Sequence, residues 1–147
     1  MKLHYLSICL TLVLLVGCTS APKKPGPGAG LPICGLLPNC VNSESGDGDK
    51  AIDPILATLT QWRELKVWLA TQQDWIIEND TSDFLQAVTK TPLMHFSDDV
   101  QLRYDETAGL IHVRSSSRLG ISDMGANRRR VEMVRELLAS ESMDQGH

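Results

Sequence analysis

The sequence predicts an α+β fold, in which an antiparallel sheet of about four strands carries two helices on one face. Two segments, one early in the chain and one at its end, repeat apolar residues every three or four positions, as helices do. Between them, short runs of alternating apolar and polar residues surround turn-forming residues, as the strands of hairpins do. The predicted element order is therefore α-β-β-β-β-α.

Residues 1–17 are predicted to be a secretory signal peptide and not part of the fold. One cation, Lys2, precedes an apolar run from Leu6 to Val16, which is too short to cross a bilayer as a stable helix. Without this segment the chain loses only Lys2 of its 14 basic residues and keeps all 18 acidic ones, a formal charge of −5. Such an acidic chain is not a general binder of nucleic acid or of anionic membranes.

The segment ends in Leu15-Val16-Gly17-Cys18, which resembles the lipobox of bacterial lipoproteins. The resemblance implies that the Cys18 thiol is acylated, so that palmitate-type chains anchor the protein in a membrane. Thr19, and not an aspartate, follows the cysteine; the sorting rule of enteric bacteria then implies the outer membrane, with the domain in the periplasm. The alternative is an ordinary cleaved signal peptide, after which Cys18 has no role.

Residues 18–33 are predicted to form the lipidated cysteine and a mobile tether, and residues 34–143 a single domain. The tether sequence TSAPKKPGPGAG has three prolines, three glycines and no apolar period, so an extended spacer is expected. Cys34 and Cys40 follow, and they remain as a pair because Cys9 leaves with the signal peptide and Cys18 is assigned to lipid. In an oxidising compartment their C-x5-C loop can close, so a disulfide is predicted.

The first helix is predicted over about residues 54–72, with Asp53 as its N-cap and Pro54 in its first position. Its apolar stripe consists of residues at helical spacing: Ile55, Leu59, Trp62, Leu65 and Leu69. Two short strands are predicted next, over Asp74–Glu78 and Phe84–Lys90, because a turn-like polar segment separates them.

Two alternating runs predict a β-hairpin, in which Gly109 supplies the positive φ of the turn. Pairing Asp105 with Leu110 collects the apolar side chains on one face, whereas a slip of one residue would mix them with charged ones. This register pairs Leu102 with Val113, Tyr104 with Ile111, Arg103 with His112, Gln101 with Arg114 and Asp98 with Ser117.

A closing helix is predicted over Asp123–Ser140. Its apolar stripe consists of Val131, Val134 and Leu138. Extending that stripe backwards puts Asn127 in its middle and Arg130 at its margin, directed toward the sheet. Arg128 is expected to pair with Glu132 one turn later.

Several short motifs are distributed along the predicted domain: Pro38–Ser43, Phe96–Val100, Ile111–Gly120, Ser122-Asp123, Gly125, Asn127-Arg128 and Arg130-Val131-Glu132. Together they resemble the uncharacterised family catalogued as domain of unknown function 1499, over about residues 34–138. That family carries no established activity, so the resemblance implies a fold and a motif but no chemistry.

The most unusual polar cluster is predicted where the last strand joins the closing helix. Its members are Arg114, Ser116, Arg118, Asp123, Asn127 and Arg130. One hypothesis is a structural clasp, in which Asp98 or Asp123 pairs with Arg130 and Arg114 pairs with Asp99. In this clasp, Asn127 or Ser122 satisfies backbone groups at the start of the helix. The other is a site for a small anion, a phosphate or carboxylate, bound by the arginines and the helix N-terminus.

No catalytic, metal-binding or cofactor-binding residues are predicted. The histidines show no metal-ligand spacing, no nucleophile-elbow sequence is present, and Asp98 and Asp99 point to opposite faces of their strand. A hydrolase is the least favoured alternative, because it needs a serine within hydrogen-bond reach of His112 or Asp123. The function expected instead is that of a lipid-anchored, non-catalytic module that binds an envelope protein or a small anionic molecule.

Overall fold

The computed structural model describes residues 24–26, 28–90 and 96–144, the last four of them by backbone alone. The predicted signal peptide (residues 1–17) and the predicted lipid attachment at Cys18 lie outside the described residues. Within the described part of the chain, no helix combines the length and apolar character needed to span a bilayer.

The fold is α+β, as predicted, but its antiparallel sheet has six strands instead of about four. The elements are β1 (Cys40–Asn42), a short 3-10 helix (Gly48–Lys50), β2 (Ile55–Leu56), α1 (Leu59–Thr71), β3 (Trp75–Asp80), β4 (Phe84–Lys90), β5 (Ser97–Asp105), β6 (Leu110–Ser117) and α2 (Ala126–Asp144). The sheet order is β1-β6-β5-β4-β3, and β2 pairs with the part of β6 that β1 leaves open. The two strands that the sequence did not predict are three and two residues long.

The predicted start of the first helix is wrong. Helix α1 begins at Leu59, after Thr58, whose hydroxyl accepts a hydrogen bond from the backbone N–H of Gln61 (3.2 Å), while the Gln61 side chain accepts one from the backbone N–H of Thr58 (2.9 Å). This reciprocal capping box satisfies two free N–H groups at once. Ile55 instead pairs with Ile111 of β6 and is buried there, so tertiary pairing overrides the local Asp53-Pro54 signal.

The predicted hairpin register is confirmed at every pair, from Asp98 opposite Ser117 to Asp105 opposite Leu110. Since side chains alternate along a strand, this register gives the sheet two different surfaces. The helix face carries Leu85, Val100, Leu102, Ile111 and Val113, against which the buried residues of α1 and α2 pack. The opposite face, called the strap face below, carries Gln86, Asp99, Gln101, Arg103 and Arg114, all of them polar.

Trp62 lies at the centre of the core between α1 and the sheet, as the helical stripe predicted. It is fully buried, its ring stacks on that of Tyr104 with centroids 5.8 Å apart, and its indole N–H donates to the Ser82 carbonyl at 2.7 Å. Val131, Val134 and Leu138 of α2 join the same core. Both helices therefore pack on one face of the sheet.

The strap face is crossed by the segment that leads into β1, here called the strap (residues 24–26 and 28–39). Its Lys24 ammonium lies 5.9 Å from the centroid of the Phe84 ring, and Leu31 is buried with its N–H donating to Glu44. The predicted disulfide is confirmed: Cys34 and Cys40 are joined at 2.05 Å. From Lys24 onward, residues that the sequence predicted as tether thus contact the domain.

Candidate functional site

The junction between β6 and α2 comprises residues 118–125. Three of its residues have a left-handed backbone conformation: Gly120, Met124 and Gly125. A carboxylate of the chain itself caps the helix that follows. Asp123 accepts from the backbone N–H of Gly125 at 3.0 Å and from that of Asn127 at 2.9 Å. These amides at the helix N-terminus are the groups that a bound anion would use. The Asp123 side chain already satisfies them.

Asn127 connects four parts of the fold from a fully buried position at the start of α2. The two N–H groups of its amide lie within hydrogen-bond distance of three acceptors, the Asn39 carbonyl (3.0 Å), the Ser117 hydroxyl (3.1 Å) and Asp123 (2.7 Å). Its amide oxygen accepts from the Ser115 hydroxyl (2.6 Å) and the Arg130 guanidinium (2.9 Å). Buried amides are stable only when paired in this way. The side chain therefore ties the strap, β6 and the junction to α2.

Arg130 pairs with Asp98 across the helix face of the sheet, at 2.6 Å. Asp98 is fully buried and Arg130 nearly so, and the same guanidinium donates to the Ser115 hydroxyl at 3.0 Å. This is the ion pair of the clasp hypothesis. A carboxylate buried to this degree depends on its partner cation, because its own desolvation is costly.

Arg118 lies on the other side of the sheet and pairs with Asp99 through two bonds. Its Nε and Nη2 donate to the two Asp99 oxygens at 2.9 and 2.7 Å, and Glu78 lies 3.5 Å away. The hydrogen bonds that Arg118 donates to Asp99 raise the pKa of Arg118. The predicted pairing of Arg114 with Asp99 is wrong, because Arg118 takes both oxygens of that carboxylate.

Arg114 is buried on the strap face with few partners. Its Nη1 donates to the Ser116 hydroxyl at 2.8 Å, whereas its Nε is buried without a hydrogen-bond partner. Burial lowers the pKa of Arg114, and the charge of nearby Asp99 partly opposes that shift. This guanidinium is the least satisfied cation of the predicted cluster.

The sheet divides the six predicted site residues into two groups that do not share one surface. Arg114, Ser116 and Arg118 belong to the strap face, while Asp123, Asn127 and Arg130 lie on the helix side. Sequence reasoning missed Asn39, whose carbonyl accepts from Asn127 and whose amide donates to the Gly120 carbonyl at 3.0 Å. Nearly ninety residues of chain separate Asn39 from Asn127, so no local signal pointed to it.

Arg128 does not pair with Glu132, so that prediction is also wrong. Its guanidinium donates to the carbonyls of Asp49 (2.9 Å) and Ala51 (2.6 Å), while Glu132 accepts from Arg135 at 2.9 Å. Arg128 thereby ties the 3-10 segment to α2. Between that segment and the junction lies an open groove of about 750 Å³, bordered by Pro38, Asp49, Ser122, Asp123 and Arg128.

The serine arrangement that a hydrolase would need is not formed in the described part of the chain. His112 faces Glu44, with its Nδ1 3.8 Å from a carboxylate oxygen. Among residues 24–26, 28–90 and 96–140, no hydrogen bond joins a serine side chain to His112 or Asp123. The same residues contain no group of three or more His, Cys, Asp or Glu side chains placed to hold a metal ion.

Comparison with known proteins gives a family but no activity. No curated protein and no solved structure matches the chain. The model of the family described as "Protein of unknown function (DUF1499)" matches residues 31–138. That span begins at the buried Leu31 of the strap and includes the disulfide, the hairpin, the junction and most of α2. The chain therefore belongs to the DUF1499 family.

Proposed function

We propose that this protein is a cell-envelope lipoprotein, in which Cys18 carries the fatty chains and the domain is a non-catalytic binding module in the periplasm, held at the outer membrane. A cation, an apolar run and a small residue before Cys18 occur in the order that export and acylation require. The observation that carries the proposal is the distribution of the cysteines. Cys34 and Cys40 are bonded to each other, so Cys18 is the one cysteine after residue 17 that this disulfide does not use.

The binding role is supported by the way in which the junction presents its side chains. Ile121 and Met124 are 77% and 88% exposed, although the loop that carries them is fixed by Asp123 and Asn127. A fixed loop loses little conformational entropy when it binds, and exposed apolar side chains are the usual source of affinity in protein contacts. These properties favour another envelope protein as the partner.

Acylation predicts the behaviour of two cysteine variants. The intact mass of the wild-type protein, purified from membranes, should exceed that of residues 18–147 by the attached fatty chains. Cys18→Ser should abolish that excess and the membrane association, because the hydroxyl is not a lipid acceptor. Cys9→Ser is the matched control, since residue 9 leaves with the signal peptide, and it should stay acylated. A mass equal to that of the bare polypeptide would contradict the proposal.

A second candidate function is the binding of a small anion, which one observation favours: the buried Arg114 Nε has no partner. The other arginines of the cluster are neutralised, Arg118 by Asp99 and Arg130 by Asp98. We therefore expect phosphate and acetate to raise the melting temperature no more than chloride at equal ionic strength. A specific rise with either anion that Arg114→Met removes would establish the second candidate.

A further inference from the structure

The described part of the strap contacts the folded domain at several points along its length. At one end Lys24 lies over Phe84, and in the middle the Asn42 side chain donates to the Pro32 carbonyl at 2.8 Å. Lys50 then donates to the carbonyls of Gly35 (2.6 Å) and Leu36 (3.1 Å), inside the loop closed by the disulfide. The chain thus belongs to the folded domain from Lys24 onward.

The proposed lipid at Cys18 is therefore separated from the domain by a short piece of chain. Only six residue steps connect Cys18 with Lys24, and even a fully extended chain covers roughly 3.5 Å per step, or about 20 Å in all. An acylated Cys18 has to lie at the level of the lipid headgroups. The part of the domain around Lys24 must then stay within about 20 Å of that level. Since Phe84 and Arg103 lie on the strap face, this restriction applies to that face.

Apolar side chains are exposed on this face and in the disulfide loop beside it, which is bonded to Cys40, opposite Ser116 of this face. Leu36 is 98% exposed and Ile33 76%, and Ile76 of β3, on the same face by strand alternation, is 55% exposed. Three acidic side chains of this face are paired with arginines: Glu44 with Arg103, and Asp99 and Glu78 with Arg118. These pairs neutralise most of the negative charge that the centre of the face would turn toward a bilayer.

We propose that the strap face docks on the bilayer that holds the Cys18 lipid, with Leu36 and Ile33 entering the headgroup region and both helices pointing away from the membrane. This inference rests on the proposed lipid anchor. The anchor supplies the affinity, so a net acidic chain can dock without electrostatic attraction. Each buried apolar side chain adds to that affinity in proportion to the area it removes from water.

Quenching of tryptophan fluorescence by brominated lipid tests the orientation. The full-length acylated protein is reconstituted into phosphatidylethanolamine-rich vesicles with and without brominated acyl chains, and wild-type fluorescence is subtracted as the background. We expect Leu36→Trp to be quenched several-fold more strongly than Val67→Trp. Val67 is a matched control because it is 69% exposed on α1, which lies on the other side of the sheet. Ile33→Trp is a second probe and should behave like Leu36→Trp.

Flotation of the same vesicles separates the two proposals. If wild-type protein floats with the vesicles and Cys18→Ser does not, the anchor is established. In that case, equal quenching of Leu36→Trp and Val67→Trp would overturn the orientation alone. If neither protein floats, or both do so equally, the lipid anchor fails, and the orientation that rests on it fails as well.

Discussion

Arg130→Ala is expected to lower the free energy of unfolding by about 3–5 kcal/mol, because it leaves a fully buried carboxylate without its cation. Asp98 is completely excluded from solvent, and Arg130 is its ion-pair partner at 2.6 Å. The substitution also removes a donor to the Ser115 hydroxyl and to Asn127. Urea denaturation of the purified protein, followed by tryptophan fluorescence, measures the loss.

The neighbouring Arg129 provides a matched control. Its side chain is exposed, and its guanidinium donates only to the carbonyl of Met124 in the junction. Arg129→Ala should therefore change the free energy of unfolding by less than about 0.5 kcal/mol. Equal losses in the two variants would mean that the Arg130 pair does not hold the fold together, and the clasp would have to be abandoned.

Asn127→Ala is expected to cost about 2–3 kcal/mol of stability, since it removes a hydrogen bond from each of several buried partners. The groups affected are the Asn39 carbonyl and the hydroxyls of Ser115 and Ser117. Hydrogen exchange measured by mass spectrometry should also show faster exchange in β1 and in the first turn of α2, the elements that this side chain connects.

Asn79→Ala is the corresponding control, because Asn79 is half-buried on β3, away from the junction. It should leave exchange in β1 and α2 unchanged. If Asn127→Ala left exchange at β1 unchanged as well, the contact of Asn127 with Asn39 would contribute nothing to holding the strap.

The hairpin could be predicted pair by pair because its information is local and redundant. Alternation of apolar and charged residues excludes every register that is shifted by an odd number of residues. Gly109, which has φ +64°, then fixes the position of the turn. The same register places Asp98 on the helix face, and the helical stripe directs Arg130 toward that face. The main ion pair of the clasp could therefore be predicted from the sequence.

The strap and the start of α1 could not be predicted, because both depend on distant partners. A segment rich in proline and glycine has the composition of a free linker, and residues distant in the sequence, such as Phe84 and Glu44, hold it on the domain. Asp53-Pro54 has the form of a helix start. The pairing of Ile55 with β6, however, keeps the chain extended there, so the helix begins only after Thr58.

The second acidic neighbour of Arg118 was missed for a similar reason. Glu78 lies on β3, and β4 separates that strand from the central hairpin, so the contact depends on the order of the strands in the sheet. Nothing in the sequence specifies the order of those strands. The division of the predicted cluster between the two faces of the sheet emerges only from the complete sheet.

A double-mutant cycle on Asp98 and Arg130 tests the clasp most directly. Free energies of unfolding are measured for wild type, Asp98→Ala, Arg130→Ala and the double variant. We expect the double variant to be more stable than the sum of the single losses predicts, by about 2 kcal/mol, because the partner left behind no longer carries an unpaired buried charge. Single losses that add to within about 0.5 kcal/mol would contradict a direct interaction between the two side chains.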